Sequence, residues 1–253
     1  MDMTNYEFKQ PKKLFGTENA KTTKGEKLGF NTFIIYMSPD KQNTKGKTVC
    51  SNSTEGCRIA CLFTAGMGIF SNVMLGRLHK TEYFLRDRQN FMLQVAKEIK
   101  AGIKKHGADN ICIRLNGTSD IPYENIPVGD HKNIIEMFSD VQFYDYSKIA
   151  NRFDKPLPQN YHLTFSMAET IENKIECFKL LDKGVNVAAV FAVKDETELP
   201  TEYKGYKVIN GDEHDLRFLD IKDNNGKGVI VGLKAKGAKG KKDTTGFVIT
   251  DFK

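Results

Sequence analysis

Tryptophan is absent from this 253-residue chain, and proline is scarce at seven residues. Cysteine is sparse too: there are five, an odd number. That excludes the disulfide frameworks that staple small secreted domains and favours thiol or thiolate chemistry. Long apolar runs are missing, because Lys, Asp or Asn interrupts each one well short of the roughly 18 residues a membrane-spanning helix needs. No membrane partner is expected. Neither charge sign dominates strongly, since 38 Lys+Arg against 32 Asp+Glu leaves a net charge of +6. The opening MDMTNYEFKQPKK has no apolar core followed by a cleavage site, so a reducing cytoplasm is the expected location.

What is there is globular: 40% of residues are hydrophobic and 28% charged. Residues 1–28 read as a polar N-terminal arm, and 29–253 as one domain. Phe33 to Met37 form a short apolar run bounded by Ser38-Pro39, a first buried strand. A long loop at 40–68 follows, and loops of that length in a compact domain usually have a function. Between Ser71 and Lys105, Val73, Leu78, Phe84, Leu85, Phe91, Met92, Val95 and Ile99 recur at helical spacing, predicting one amphipathic helix or two. Further strands are predicted at 111–115, 141–146, 161–166, 185–193, 206–210 and 228–235, with a short last one in 246–252. Helix-like stretches at 133–138 and 169–184 lie between several of them. Strands alternating with helices imply parallel pairing by right-handed crossovers. The irregular separations point to an α/β fold with a partial or irregular (β/α) barrel-like, mostly parallel sheet.

Three cysteines act as a group. Cys50, Cys57 and Cys61 fall in a C-x6-C-x3-C stretch inside the 40–68 loop, whereas Cys112 and Cys177 sit singly in apolar patterns and read as small buried residues. Neighbouring thiolates can converge on one soft metal. A structural zinc normally takes four ligands, and no fourth Cys or His completes that spacing nearby, although His79 could close a Cys3His set. A [4Fe–4S] cluster on three cysteines leaves one iron open, which is what makes such a cluster reactive. Zinc, or three thiols merely lining a loop, are the alternatives.

In a parallel α/β sheet, chemistry gathers where strands end. The strand at 111–115 runs into Asn116-Gly117-Thr118-Ser119-Asp120, where glycine permits close approach and Asn, Thr and Asp supply polar partners. An ordinary turn closing the strand is the alternative there. Asp145 and Lys148 lie at the end of the next strand, and His162, Thr164 and Ser166 make a polar stripe on the following one. Asp212 and Asp215 belong to the titratable stretch 210–220, and Lys234 and Lys236 share a face near the last long strand. Candidate catalytic residues are therefore Asp145, Lys148, His162, Asp212 and Asp215. Candidate cofactor contacts are Asn116, Gly117, Thr118, Asp120, Ser166, Lys234 and Lys236, around a small-molecule or anionic substrate. Lys239, Lys241 and Lys242, with the basic arm, suggest weak nucleic-acid binding through phosphate neutralisation.

The blocks ENAKT (18–22), CSNSTEGCRIACLFTAGMG (50–68), NGTSD (116–120), YDYSK (144–148), YHLTFS (161–166), GDEHDLRFLD (211–220) and GLKAKG (232–237) together resemble a tailed-phage protein family of the gene 88 product type. The resemblance spans nearly the whole chain; it implies one domain of phage or prophage origin, in the host cytoplasm, and no particular activity. More distantly, a three-cysteine loop after a first strand of an α/β sheet is similar to the radical S-adenosylmethionine superfamily. That likeness implies a [4Fe–4S] cluster on Cys50, Cys57 and Cys61, whose open iron holds S-adenosylmethionine for reductive cleavage, with 116–120 near the methionine amino group. The superfamily spacing is C-x3-C-x2-C, and Ala60 stands where an aromatic residue normally precedes the last cysteine.

Overall fold

The protein is described by a computed structural model covering residues 6–18, 20–61, 68 and 70–252. Residues 62–67 of the cysteine loop, and residues 1–5 and 19 of the N-terminal stretch, lie outside the described residues. The strands are β1 (Phe15–Gly16), β2 (Asn31–Ile35), β3 (Ile111–Arg114), β4 (Gln142–Ser147), β5 (Tyr161–Ser166), β6 (Val187–Phe191), β7 (Glu202–Tyr203), β8 (Tyr206–Asn210), β9 (Ile230–Lys234) and β10 (Val248–Ile249). The helices are α1 (Ala20–Glu26), α2 (Glu55–Ile59), α3 (Ser71–Arg86), α4 (Arg88–His106), α5 (Ile134–Met137), α6 (Ile171–Asp182) and α7 (Gly237–Lys241). The fold is the expected α/β class with a mostly parallel sheet, in the order β1-β2-β3-β4-β5-β6-β9-β8-β7 with β10 on β6. That path ends at β1 and β7 without joining, as an irregular member of the class does. No helix among the described residues is long and apolar enough to cross a membrane.

Contacts divide the described residues into two compact units, one from 6–18, 20–51, 68, 70–145 and 156–162, the other from 52–61, 146–155 and 163–252. In the first, β1 is antiparallel to β2, and β2 to β4 run parallel. Every residue of β3 is buried, the signature of a strand covered on both faces. The polar N-terminal stretch contributes β1 and α1, and Leu14 and Phe15 donate their N–H groups to the Glu98 carboxylate at 2.9 and 3.1 Å. The apolar periodicity of 71–105 resolves into two helices because Asp87 leaves helical geometry at φ −145° and caps α4 by accepting the Asn90 N–H at 3.1 Å. Leu78, Phe84, Phe91, Met92, Val95 and Ile99 are buried as the spacing predicts.

In the second unit β5, β6, β9 and β8 are parallel, and β7 turns back antiparallel on β8. The core joins Phe165, Val187, Ala189, Phe191, Val208 and Ile230 to Cys177, Leu180 and Leu181 of α6. One edge of β6 is shared in sequence: β5 pairs along it up to Ser166–Ala188, and β10 takes over from Val248–Val190. The end of β5 therefore leaves the sheet where β10 arrives.

Candidate functional site

The two ends of the cysteine loop are anchored separately. In the first unit Cys50 forms a parallel β-bridge with Asp120, supported by Asp120 N–H to Val49 O at 2.8 Å. The Asp40 N–H points at Cys50 Sγ at 3.4 Å, and the thiol faces the Thr118 carbonyl at 3.7 Å. The NGTSD turn is stitched to the end of β2: Thr118 donates its hydroxyl to Met37 O at 2.5 Å and accepts the Met37 N–H at 3.0 Å. A Cβ on Gly117 would stand 2.6 Å from Ile35 O, so this glycine admits the chain's own backbone. Asn116 is closed off as well, since its Oδ1 accepts from Ser119 Oγ and Ile121 N at 2.8 Å, while Nδ2 donates to Ile121 O at 3.0 Å.

Asp145 organises this turn. Its buried carboxylate accepts Asn116 N–H at 2.7 Å, Asn116 Nδ2 at 3.1 Å and the Tyr161 hydroxyl at 3.1 Å. Three donors satisfy a carboxylate removed from water. Tyr123 is fully buried; the hydroxyl has no hydrogen-bond partner among the described residues, and burial, with the Asp145 charge, holds its pKa above the ordinary phenol range.

In the second unit Lys148, just past β4, donates from Nζ to Ser166 Oγ at 2.7 Å, and its ammonium sits 5.6 Å from the Phe247 ring centroid. Asn52 Nδ2 donates to Lys148 O at 3.1 Å. His162, at the second position of β5 and still in the first unit, is half-buried; Thr164, in the second unit, is fully buried with a hydroxyl that has no hydrogen-bond partner among the described residues. Cys57 lies on the one-turn helix α2 with Cys61 four residues on; both are half-buried, and α2 is tied to Glu169 beyond β5. Cys112 and Cys177 are buried, and burial pushes the Cys177 thiol up to about 12.

Asp212 follows β8. It accepts the Lys234 N–H at 2.7 Å and the Lys236 ammonium, so it ties the end of β9 to the turn after β8. Lys234 Nζ is 3.4 Å from Glu196. Asp215 is buried in the same turn, two residues before Arg217, which has the largest fully buried side chain among the described residues. Arg217 Nη1 is 3.3 Å from Asp220 Oδ2, and burial, together with Asp215, raises the Asp220 carboxyl to about 6 despite the guanidinium. Gly211 makes room for this arginine, because a Cβ there would meet Val231 at 2.4 Å and Arg217 Nη1 at 3.0 Å.

Sequence reading missed Glu169, and held Arg217 and Asp220 only as members of the titratable stretch 210–220. Glu169 carried a legible signal, an acid between a strand's polar end and the Thr170 N-cap of α6. Among the described residues, no three His, Cys, Asp or Glu side chains are gathered closely enough to hold a metal ion. The loop fits a soft metal by donor chemistry: three thiols within twelve residues, none in a disulfide and none fully buried. His79 is committed elsewhere at one nitrogen, with Nδ1 accepting the Tyr6 hydroxyl at 2.8 Å and the Lys9 N–H at 3.2 Å.

No curated protein and no solved structure matches the chain. A sequence model of the phage family described as gene product 88 matches residues 10–251. With nearly its whole length covered by that match, the chain belongs to the gene product 88 family.

Proposed function

We propose that this phage-family protein binds a [4Fe–4S] cluster through Cys50, Cys57 and Cys61 and uses it to cleave S-adenosylmethionine for radical chemistry on a small substrate. The observation that carries the reading is the contrast among the five cysteines. The three in C-x6-C-x3-C are the accessible ones, while Cys112 and Cys177 are buried. A second support is that each end of the loop is bonded to a segment just beyond a parallel strand, Cys50 to the turn after β3 and the Cys57 arm to Glu169 after β5. A three-thiolate cluster with an open iron supplies a site for the amino and carboxylate groups of S-adenosylmethionine and the electron that breaks its C5′–S bond. The chain's own residues then bind and orient. Lys148 with Ser166 offers an ammonium and a hydroxyl to an anionic substrate, and Asp145 holds 116–120 in one conformation.

Anaerobic purification is expected to give brown protein with about four irons and four sulfides per chain. Dithionite-reduced protein with S-adenosylmethionine is expected to release 5′-deoxyadenosine. Colourless protein carrying one zinc removes the cluster; a cluster with no 5′-deoxyadenosine removes the catalysis.

A second reading has its own support. Lys239 and Lys241 of α7 and the adjacent Lys242 are exposed, and no described carboxylate lies within ion-pair distance of them. In this reading a zinc or cluster only pins the loop, and the lysines meet a polyanion such as nucleic acid. Replacing the three with alanine is then expected to weaken retention on DNA and flatten its salt dependence.

A further inference from the structure

We infer that Glu169 is the positioning residue of the Cys57 arm of the loop. The inference rests on the reading above for what Cys57 binds, but the clamp is a property of the chain alone. A helix of five residues does not hold itself together in water, because nucleation costs more than one turn returns. Something outside α2 must hold it. Glu169 Oε1 accepts the Gly56 N–H at 2.8 Å, and Oε2 accepts the Thr54 hydroxyl at 2.7 Å. A hydroxyl has one proton and two lone pairs. With the Thr54 proton directed to the carboxylate, a lone pair is left facing Cys57, whose N–H it accepts at 3.3 Å. One carboxylate thus sets, directly and through Thr54, two consecutive N–H groups at the start of α2, the second being that of Cys57.

The contact surface is as specific as the bonds. A Cβ on Gly56 would stand 2.3 Å from Thr245 Oγ1, 2.6 Å from Phe247 Cβ and 2.9 Å from Glu169 Oε2. The start of α2 therefore sits backbone-close to the segment entering β10. Glu169 is itself held: Asn173 accepts Ala168 N–H at 2.6 Å and donates to Ser166 O at 3.2 Å, fixing the chain between β5 and α6. A bonded path runs from the sheet through Glu169 and Thr54 to Cys57.

The test compares alkylation rates of individual cysteines, by mass spectrometry, in the full metal-free chain. Glu169→Gln keeps the size but leaves one oxygen for two donors. It is expected to raise the Cys57 rate about tenfold, the factor that loss of one charge-assisted hydrogen bond gives. Cys50, held by its own contacts with Asp40 and Thr118, is expected to keep its rate. Thr54→Val should reproduce the rise and Thr54→Ser should restore the native rate, since serine keeps the hydroxyl. An unchanged Cys57 rate in Glu169→Gln overturns the inference, as does a rise shared by buried Cys112 and Cys177, which reports general loosening. In iron-reconstituted protein Glu169→Gln is expected to shift the visible and electron paramagnetic resonance spectra. A native chain that takes up no iron while the Cys57-specific rise persists keeps the clamp and removes the cluster.

Discussion

Asp145 accepts the backbone N–H of Asn116 at 2.7 Å while both residues are out of contact with water. The bond joins a residue within β4 to the second residue after β3, and Asn116 in turn closes the NGTSD turn through its side chain. A carboxylate with three donors in the interior is a structural hub of its unit before it is anything else. Asp145→Ala is expected to destabilise the protein by about 3 kcal/mol or more, because three donors lose their acceptor at once. Asp145→Asn should cost less. Urea denaturation measures both, and a loss below about 1 kcal/mol for alanine would remove the hub role.

The five cysteines should separate into two classes. Cys50→Ser, Cys57→Ser and Cys61→Ser are each expected to abolish iron binding with little change in melting temperature. Cys112→Ser and Cys177→Ser are expected to keep iron and lose stability, by about 1–3 kcal/mol, since each buries a hydroxyl where a thiol packs. Iron and sulfide content, read beside thermal denaturation, checks this.

Asp220 gives a pH dependence of defined sign. Its carboxyl titrates at about 6 in the folded chain against an ordinary 3.8, so between those values the folded state holds the proton more tightly. Stability from this group is full below about pH 4 and is lost as pH rises through 6, by on the order of 2 kcal/mol. Carboxylates held below the ordinary range, such as Glu82 and Asp243, act in the opposite sense and at lower pH. Comparing denaturation of native and Asp220→Asn chains at pH 4.5 and 6.5 isolates the effect; equal slopes would refute it.

His79 gives the opposite sign. Burial and the Lys9 charge hold its pKa below 6.5, while Glu82 pulls the other way. Its neutral ring accepts two bonds from the segment before β1. Protonation removes that acceptor, so the contribution is present above about pH 6.5 and is lost as pH falls through the lowered value. Hydrogen exchange at the Lys9 amide, corrected for intrinsic rate, should show less protection at pH 5 than at pH 7.5. His79→Phe should abolish the difference.

Much of the architecture was legible residue by residue. The runs at 161–166 and 206–210 are β5 and β8 as written, and the helical spacing from 71 to 105 found the buried face of α3 and α4. Such patterns are local, because period 2 and period 3.6 report one element's exposure to water. The sequence leaves open whether and where the stripe breaks, since the apolar pattern continues across Asp87. The short pieces β1, β7 and α2 escaped for a related reason: at two to five residues, no period can be counted.

The sequence by itself determined the fold class, the parallel strands, the three-thiol spacing and, through the match over residues 10–251, the family. Only the tertiary structure decided what each polar group does. NGTSD looked like a ligand cradle, yet its Asn116 and Thr118 are bonded within their own unit, and Asp212 joins two strand ends. Glu169, whose place before a helix is legible but whose partner is not, meets Thr54 across 115 residues of chain. Hydrophobic periodicity follows from neighbours along the backbone, whereas the pairing of a donor with an acceptor follows from packing that brings distant segments together and removes water from between them.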